Sequence, residues 1–257
     1  MQYNASFRTA LESIITHAGE IILSHQAQVT ILDHKMAGAV VTTADIASEQ
    51  YLIKELSSLL PEASWYAEES GSSGTAHDYC WVIDPLDGTT NFSHGFPHIA
   101  VSVALTYKGV PQIGVVYDPI LRELFYAHKG YGAWLNGEPI RIPTQLLDRK
   151  LLLVATPYEE DVTYANGLQK LLAVGPATYA FRQTGSVALD CAYVAAGRAD
   201  GLFFMDLPWW DIAAGLLILQ EAGAHITGNG TLVEPSKTYP LLVAGSTELV
   251  HELTMQV

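Results

Sequence analysis

The chain has 257 residues, of which 49% are hydrophobic and 16% are charged. Because disordered proteins combine low hydrophobicity with high charge, this composition excludes that class, and the length suffices for a large core in one or two domains. Thirteen Lys and Arg against 27 Asp and Glu give a formal net charge of −14. That balance argues against nucleic acid as a partner, since a phosphate backbone requires a dense basic face.

The N-terminal stretch up to Leu23 predicts an amphipathic core helix and shows no signal-peptide pattern. The longest apolar run, Ile212 to Leu219, is far shorter than the ~18 residues that a membrane span needs. Cys80 and Cys191 lack CxxC spacing, which excludes a zinc knuckle or a disulfide framework. We therefore expect a cytoplasmic protein without membrane contacts. The apolar face of the first helix is formed by Phe7, Leu11, Ile14, Ile15, Ala18, Ile21 and Ile22.

A second helix is predicted to begin near Thr43 or Asp45 and to end before Pro61. The Gly- and Ser-rich stretch from Glu68 to Gly74 predicts a loop. Short apolar runs with turn residues between them follow, and they predict an antiparallel sheet. These runs are Tyr79–Ile83, Ile99–Tyr107, Gln112–Tyr117 and Glu123–Ala127.

From Leu151 onward, strand patterns alternate with helix patterns, which indicates an α/β arrangement. The polar segment around Pro143 gives the predicted boundary between an N-terminal α+β domain, residues 1–147, and a C-terminal α/β domain, residues 148–257. Two α/β layers that share one cleft are the predicted architecture. The predicted elements are strands at Leu151–Ala155, Gly201–Met205 and Leu241–Ala244, and helices at Val187–Ala196 and Trp210–Ala222.

One string of residues combines two carboxylates with an anion-binding helix start. An apolar strand leads into Asp84, a proline follows, and Asp87 and Gly88 precede two threonines that can open a helix. The free N–H groups of a helix start can hold an anion, while Mg²⁺ prefers a few carboxylates together with water and phosphate oxygens. An isolated Asp-Pro-x-Asp-Gly is more often only a hydrated turn. Further polar groups at the ends of apolar segments favour a site, namely Glu68-Glu69-Ser70, Trp210-Asp211 and Val41-Thr42-Thr43-Ala44-Asp45.

With these motifs in this order, the chain resembles the inositol monophosphatase family of Mg²⁺-dependent, lithium-sensitive phosphomonoesterases. The similarity extends from Val41 to Gly245, and the string Asp84–Phe92 with the later Trp-Asp-x-Ala-x-Gly motif at Trp210 is its most specific part. The resemblance implies an αβαβα layered sandwich with an antiparallel N-terminal sheet and a mixed C-terminal sheet. It also implies a homodimer.

The resemblance also implies the residues of the active site. Asp84 would bridge two ions, and a third Mg²⁺ is a further expectation. Thr89, paired with Asp45 and with Glu68 beside them, would orient and help deprotonate the attacking water, while Gly88 and Thr89 would offer backbone N–H groups to the phosphate. The implied metal ligands are Glu68 and the Leu86 carbonyl at the first ion and Asp87 and Asp211 at the second.

The substrate contacts are less uniform. Gly185 and Ser186 match a family pair near the substrate ring, and Arg182 fits either a substrate contact or a dimer contact. At position 204, where the family often has a Glu that contacts inositol, this chain has Phe204. Either Phe204 only extends an apolar strand and Asp206 or a water takes the polar role, or the site prefers a less polar alcohol. Further candidates are Glu69 and Lys35, the latter for a third metal or a lid.

The sequence thus predicts hydrolysis of a small phosphorylated polyol, with inositol 1-phosphate as the leading candidate. Another sugar phosphate, fructose 1,6-bisphosphate or a nucleotide 3′-phosphate is the alternative within phosphatases. A non-catalytic interaction protein is the alternative of another class. Since the four predicted carboxylate ligands make up a minority of the negative charge, we expect bound cations and helix ends, rather than the overall field, to attract the substrate.

Overall fold

Three β-sheets and the helices between them organise the chain in the computed structural model. The described residues are 4–34, 40–73, 77–143, 150–156, 162–175, 178–228 and 241–256. The helices in these ranges are α1 (Ala5–His25), α2 (Thr43–Leu59), α3 (Thr89–Ser93), α4 (Val162–Val174), α5 (Val187–Ala195), α6 (Trp209–Glu221) and α7 (Thr247–Thr254), with a short 3₁₀ turn at Gln26–Gln28.

The strands form sheets of two, eight and five members within the described residues. The first ten are β1 (Ile31–His34), β2 (Val40–Thr42), β3 (Ala63–Ala67), β4 (Gly71–Ser72), β5 (Tyr79–Asp87), β6 (Ala100–Tyr107), β7 (Val110–Asp118), β8 (Glu123–His128), β9 (Gly132–Leu135) and β10 (Glu138–Ile140). The others are β11 (Leu151–Ala155), β12 (Ala180–Arg182), β13 (Gly201–Phe204), β14 (His225–Gly228) and β15 (Leu242–Gly245).

The eight-stranded sheet has the order β10-β9-β8-β7-β6-β5-β3-β4, and its neighbours are antiparallel with one exception. Strands β3 and β5 run parallel, with Ala67 opposite Ile83. This exception matters because the residues that follow these two positions, Glu68 and Asp84, then emerge side by side. A register shift between Asp84 and Asp87 interrupts the pairing of β5 with β6 at the same place.

The five-stranded sheet is mixed, as predicted. Its order is β12-β11-β13-β15-β14, in which β11 is parallel to β12 and β13 while β15 is antiparallel to β13 and β14. Helices α1 and α2 cover one face of the large sheet, and α5 and α6 lie between the two sheets. Residues of α4 and α7 share a hydrophobic cluster with the far face of the small sheet. The predicted αβαβα order of layers is confirmed.

The central layer of α5 and α6 packs tightly against the large sheet. A Cβ added at Gly114 of β7 would lie 2.6 Å from the carbonyl oxygen of Ala214, so α6 approaches that strand at backbone distance. One hydrophobic cluster joins Phe125 of the large sheet to Leu189 and Leu217 of these helices. The predicted boundary at residues 147 and 148 falls in 144–149, outside the described residues, and stays a prediction.

Local signals account for the two N-terminal helices. Asn4 caps α1 by accepting a hydrogen bond from the Phe7 N–H at 3.0 Å. At α2, Thr42 and Asp45 form a reciprocal capping box, which begins the helix at Thr43 as predicted. The stretch from Glu68 to Gly74, predicted to be a loop, contains the two-residue strand β4. None of the described helices is long and apolar enough to cross a membrane.

Candidate active site

The predicted carboxylates meet at a cavity of about 410 Å³ where strand ends of the large sheet face the second half of the chain. Both halves contribute to its walls, and the acidic side chains lie together at one end. The lining residues of this cavity are, from the first half, Val40, Glu68, Asp84, Leu86, Asp87, Gly88, Thr89, Thr90 and Asn91, and from the second half, Ala155, Gln183, Thr184, Gly185, Val187, Leu207 and Asp211.

Glu68 and Asp84 are neighbours because β3 and β5 are parallel. The Glu68 N–H donates to the Ile83 carbonyl at 3.1 Å, and the Leu86 N–H donates to Asp84 Oδ1 at 3.1 Å. Burial raises the pKa of Asp84 well above its usual value, and the charges of Glu68, Asp87 and Asp211 raise it further. Asp84 therefore lies at the electrostatic centre of the acidic group.

The start of α5 holds the second carboxylate of the motif. Asp87 Oδ2 accepts hydrogen bonds from Ser186 Oγ at 2.6 Å and from the Ala188 N–H at 2.7 Å, while Oδ1 accepts one from the Val187 N–H at 3.3 Å. Burial raises the pKa of Asp87 to about 6, although these hydrogen bonds oppose the rise. Asp87, in the first half of the chain, thus accepts hydrogen bonds from the N–H groups at the start of α5, in the second half.

The last of the four carboxylates comes from the second half of the chain. Asp211 lies in the first turn of α6, and the preceding Trp210 packs against Tyr66 of β3 with 5.3 Å between ring centroids. Since α6 is held at backbone distance from β7, its N-terminal turn is fixed relative to the large sheet. Asp211 is thereby directed towards the ends of β3 and β5, where it lines the cavity.

A hydrogen-bonded pair lies beside the carboxylates. Thr89 Oγ1 is 2.8 Å from Asp45 Oδ1 and 3.0 Å from the Leu86 carbonyl oxygen. The other oxygen of Asp45 accepts from the N–H and the hydroxyl of Thr42, at 2.8 and 2.5 Å. Burial raises the pKa of Asp45, and its hydrogen bonds act in the opposite direction.

The backbone at Gly88 requires glycine. Its φ is +93°, and a Cβ there would lie 3.0 Å from the His98 carbonyl oxygen and 3.2 Å from the Gly185 carbonyl oxygen. Gly88 also caps α3 at its N-terminus. This close approach brings the loop around Gly185 next to the Asp84–Thr89 turn.

The donor set fits Mg²⁺ in chemical type. Four carboxylates and one carbonyl are hard oxygen ligands, and their mutual repulsion, visible in the raised pKa of Asp84, would be offset by divalent cations. In the described part of the chain, no three acidic, histidine or cysteine side chains stand in a ready metal-binding arrangement. The carboxylates would therefore have to draw together around an ion.

The second half of the chain contributes mostly uncharged residues to the cavity lining. These are Ala155, Gln183, Thr184, Val187 and Leu207, together called the neutral end, and none of the described lining residues is Lys, Arg or His.

Comparison with known proteins agrees with the fold and the motifs. Residues 4–255 match the model of the inositol monophosphatase family. The chain belongs to this family. It is 40% identical over 250 residues to Nus factor SuhB of Pseudomonas aeruginosa (92% of this chain, 90% of the relative) and 37% identical over 220 residues to inositol-1-monophosphatase of Synechocystis (85% and 77%). A crystal structure of extragenic suppressor protein suhB from Bartonella henselae superposes with a TM-score of 0.88 at 32% identity, covering 98% of this chain and 100% of that one.

The family resemblance predicted substrate contacts that the structure places at different depths. Gly185 lines the cavity, whereas Ser186 is fully buried behind it and binds Asp87. Phe204 has 0% exposure and belongs to the hydrophobic cluster of α5 and α6, so it offers no surface to a substrate in this structure. A contact between Phe204 and the substrate stays a prediction, and the burial of this side chain does not support it.

Three further candidates lie away from the carboxylates or outside the described residues. Arg182 is exposed on β12, where its Nη1 donates to the Phe181 carbonyl oxygen at 2.8 Å. Glu69 lines a separate cavity against α2. Lys35 lies outside the described residues.

The motifs alone missed several residues of the site. Asn91 was noted only as part of a family motif, yet its Nδ2 donates to the His98 carbonyl at 2.7 Å and to the Thr184 carbonyl at 2.9 Å. Gln183 and Leu207 line the neutral end without belonging to any recognised pattern. Only Gly185-Ser186 gave a signal in that part of the chain.

Proposed function

We propose that this member of the inositol monophosphatase family is a Mg²⁺-dependent phosphatase of a small phosphorylated polyol, with inositol 1-phosphate as the leading substrate. The observation that carries the proposal is the cavity itself, which is lined by four carboxylates and by Thr89, whose hydroxyl is hydrogen-bonded to Asp45. An interaction surface has no need of repelling carboxylates buried in a cleft.

The residues that would hold Mg²⁺ are Glu68, Asp84, Asp87, Asp211 and the Leu86 carbonyl. When bound, the ions neutralise phosphate oxygens, lower the pKa of water and stabilise the leaving group. Asp84, which the other three carboxylates surround electrostatically, would be shared between two ions, as the family resemblance implies. Phosphoryl transfer then requires mainly positioning and charge stabilisation from the protein.

Thr89 and Asp45 form a path for a proton. The Thr89 hydroxyl donates towards Asp45 and the Leu86 carbonyl, so its oxygen can accept a proton from a water in the cavity. Asp45 is fixed by Thr42 and can receive the hydroxyl proton in turn. The backbone N–H groups at the start of α3, beginning with Gly88 and Thr89, are suited to orient the phosphate.

The neutral end favours a monophosphate over a bisphosphate. Without a Lys, Arg or His among the described lining residues, the second phosphate of fructose 1,6-bisphosphate or of a nucleotide 3′-phosphate would be desolvated without a counter-charge. The Gln183 amide offers a donor and an acceptor for a polyol hydroxyl. We therefore rank inositol 1-phosphate and other sugar monophosphates above the bisphosphates.

The test is phosphate release from a panel of these esters with and without Mg²⁺. We expect Mg²⁺ to activate hydrolysis of inositol 1-phosphate and Ca²⁺ and Li⁺ to inhibit it. Absence of Mg²⁺-dependent release from every ester would contradict the proposal. A homodimer and a cytoplasmic location are parts of the same proposal, and gel filtration coupled to light scattering tests the first.

A second candidate is a role as a non-catalytic interaction protein. It is supported by the name of the P. aeruginosa relative, a Nus factor rather than a phosphatase. The two functions separate in a variant that lacks one metal ligand, since a partner-binding role survives Asp84→Asn and a catalytic role does not.

A further inference from the structure

Three side chains on one face of α2 each bind a different segment of the candidate active site. Asp45 accepts from Thr89 Oγ1 at 2.8 Å, Ser48 Oγ donates to the Pro85 carbonyl at 2.9 Å, and Glu49 Oε2 accepts from the Glu69 N–H at 2.9 Å. Their spacing of three and four residues places them on the same side of the helix. All three are buried, with exposures of 0%, 0% and 3%.

We propose that Ser48 and Glu49 are positioning residues of the metal site, so that α2 acts as the template on which its ligands are assembled. Neither residue lines the cavity, and each acts through the segment to which it is hydrogen-bonded. The inference rests on the proposed Mg²⁺-dependent function.

Glu49 fixes the backbone on one side of Glu68, and the sheet fixes it on the other. The Glu68 N–H is bound to the Ile83 carbonyl at 3.1 Å, and the next N–H along the chain, that of Glu69, is bound to Glu49. Both peptide groups that flank the Cα of Glu68 are therefore anchored. The Glu68 carboxylate can then reach an ion by side-chain rotation alone, without reordering the turn.

Ser48 anchors the backbone of the turn between Asp84 and Asp87. The Pro85 carbonyl that it binds lies between Asp84 and Leu86, whose own carbonyl is a candidate ligand. Asp84 and Asp87 pair with Ser102 and Ala100 of β6, but Pro85 and Leu86 lie in the register shift between them. The hydrogen bond from α2 therefore holds the part of the turn that has no regular partner in β6.

The chemistry of Glu49 favours positioning over simple packing. A carboxylate with 3% exposure is unfavourable unless it is hydrogen-bonded, and an apolar side chain would serve helix packing better. A carboxylate that accepts from a backbone N–H makes a charge-assisted hydrogen bond, which is stronger and more directional than a neutral one. The hydrogen bond from the Glu69 amide therefore explains why position 49 carries an acidic side chain.

The experiment measures metal binding and local order separately from catalysis. Mn²⁺ binding to the full-length protein is followed by electron paramagnetic resonance of the free ion, and hydrogen exchange is measured at the Glu69 amide. We expect Glu49→Ala to weaken Mn²⁺ binding by about 10- to 100-fold, the range for partners that orient metal ligands. The Glu69 amide should exchange faster in the same variant, and Glu49→Gln should recover most of the affinity because its amide oxygen can accept the same N–H.

Matched controls lie on the same helix. Glu55→Ala removes a carboxylate and Ser58→Ala removes a hydroxyl, both at positions whose hydrogen-bond partners are within α2. We expect wild-type Mn²⁺ affinity in both controls and weakened affinity in Ser48→Ala. Because Glu49 borders a second cavity of about 400 Å³, its truncation does not leave a sealed void, and Glu49→Gln preserves the fold if the alanine variant does not.

The outcomes separate the inference from the function on which it rests. If Glu49→Ala and Ser48→Ala bind Mn²⁺ as tightly as the two controls do, the positioning role is wrong while the proposed metal site stands. A wild-type protein that binds no Mn²⁺ overturns both. A wild type that binds Mn²⁺ but hydrolyses no ester overturns the proposed function, and the binding data still decide the role of Ser48 and Glu49.

Discussion

At the acidic end of the cavity, carboxylates that follow β3, lie in β5 and begin α6 stand beside a hydrogen-bonded Thr–Asp pair. The neutral end is uncharged and comes from β11, the loop before α5, the first residue of α5 and the turn before α6. The acidic residues have the groups that phosphate-ester hydrolysis requires, whereas the neutral end offers a shape and the Gln183 amide. We therefore expect substitutions at the acidic end to alter the reaction and substitutions at the neutral end to alter the choice of substrate.

The largest expected effect lies at the acidic end. Asp84→Asn should abolish Mg²⁺-dependent phosphate release, because the central carboxylate of the group is lost. The fold should persist, since the substitution removes a buried charge that three other carboxylates oppose. Phosphate-release assays and thermal melts without Mg²⁺ measure the two effects. Retained activity in this variant would contradict the metal assignment.

The proton path should show the next largest effect. Thr89→Ala removes the hydroxyl between the cavity and Asp45, so kcat should fall by at least about a hundredfold, the lower range for general acid–base groups. Thr89→Ser keeps the hydroxyl and should retain most of the activity. Steady-state kinetics at saturating Mg²⁺ distinguishes the two, and equal losses in both variants would show that the methyl group matters rather than the hydroxyl.

The connection between the two ends is tested at Asn91. Asn91→Ala leaves the His98 and Thr184 carbonyls without their donor, which should lower the free energy of unfolding by about 1–3 kcal/mol. Because the loop at Gly185 is loosened, KM should rise more than kcat falls. Ser93→Ala, at a half-buried position whose hydroxyl donates to the Thr90 carbonyl within α3, is the control, with unfolding and kinetics close to wild type. An Asn91→Ala protein with wild-type stability would mean that the two ends are joined by other contacts.

The smallest effect is expected from a charge placed at the neutral end. Gln183→Lys should improve kcat/KM for fructose 1,6-bisphosphate relative to inositol 1-phosphate by up to about fivefold, since a partly exposed ion pair contributes up to about 1 kcal/mol. Gln220→Lys makes the same charge change on an exposed end of α6 and should leave the ratio unchanged. If both variants shift the ratio equally, the overall charge rather than the neutral end governs substrate choice.

The acidic end could be predicted from the sequence because its residues are consecutive or lie at the ends of recognisable elements. Asp84, Asp87 and Thr89 fall within six positions, and the capping box formed by Thr42 and Asp45 marks the start of α2. The parallel pairing of β3 with β5 was not predicted, because the Gly- and Ser-rich residues between these strands give turn signals and no helical pattern for the crossover that parallel strands need. That pairing, rather than any motif, brings Glu68 beside Asp84.

The neutral end could not be predicted, for a physical reason. Gln183 and Leu207 come to line one cavity only through the pairing of β12, β11 and β13, and neither residue carries a local signal. Phe204 lies on a central strand and is taken into the core, and its substrate contact stays a prediction. Ser186 donates to Asp87 from the other half of the chain, and its substrate contact likewise stays a prediction.

The hydrogen bonds that Asp87 accepts from Ser186, Val187 and Ala188 span 99 to 101 residues of sequence. During synthesis, the ribosome must therefore add about a hundred residues after Asp87 before this carboxylate can reach its final environment. A nascent chain or a fragment that ends before α5 has a turn with the right motif but no partner to hold it. Contacts of such long range form late in folding. The environment of Asp87 is thus completed only after α5 has been synthesised and folded, and the fourth carboxylate, Asp211, follows still later in the chain.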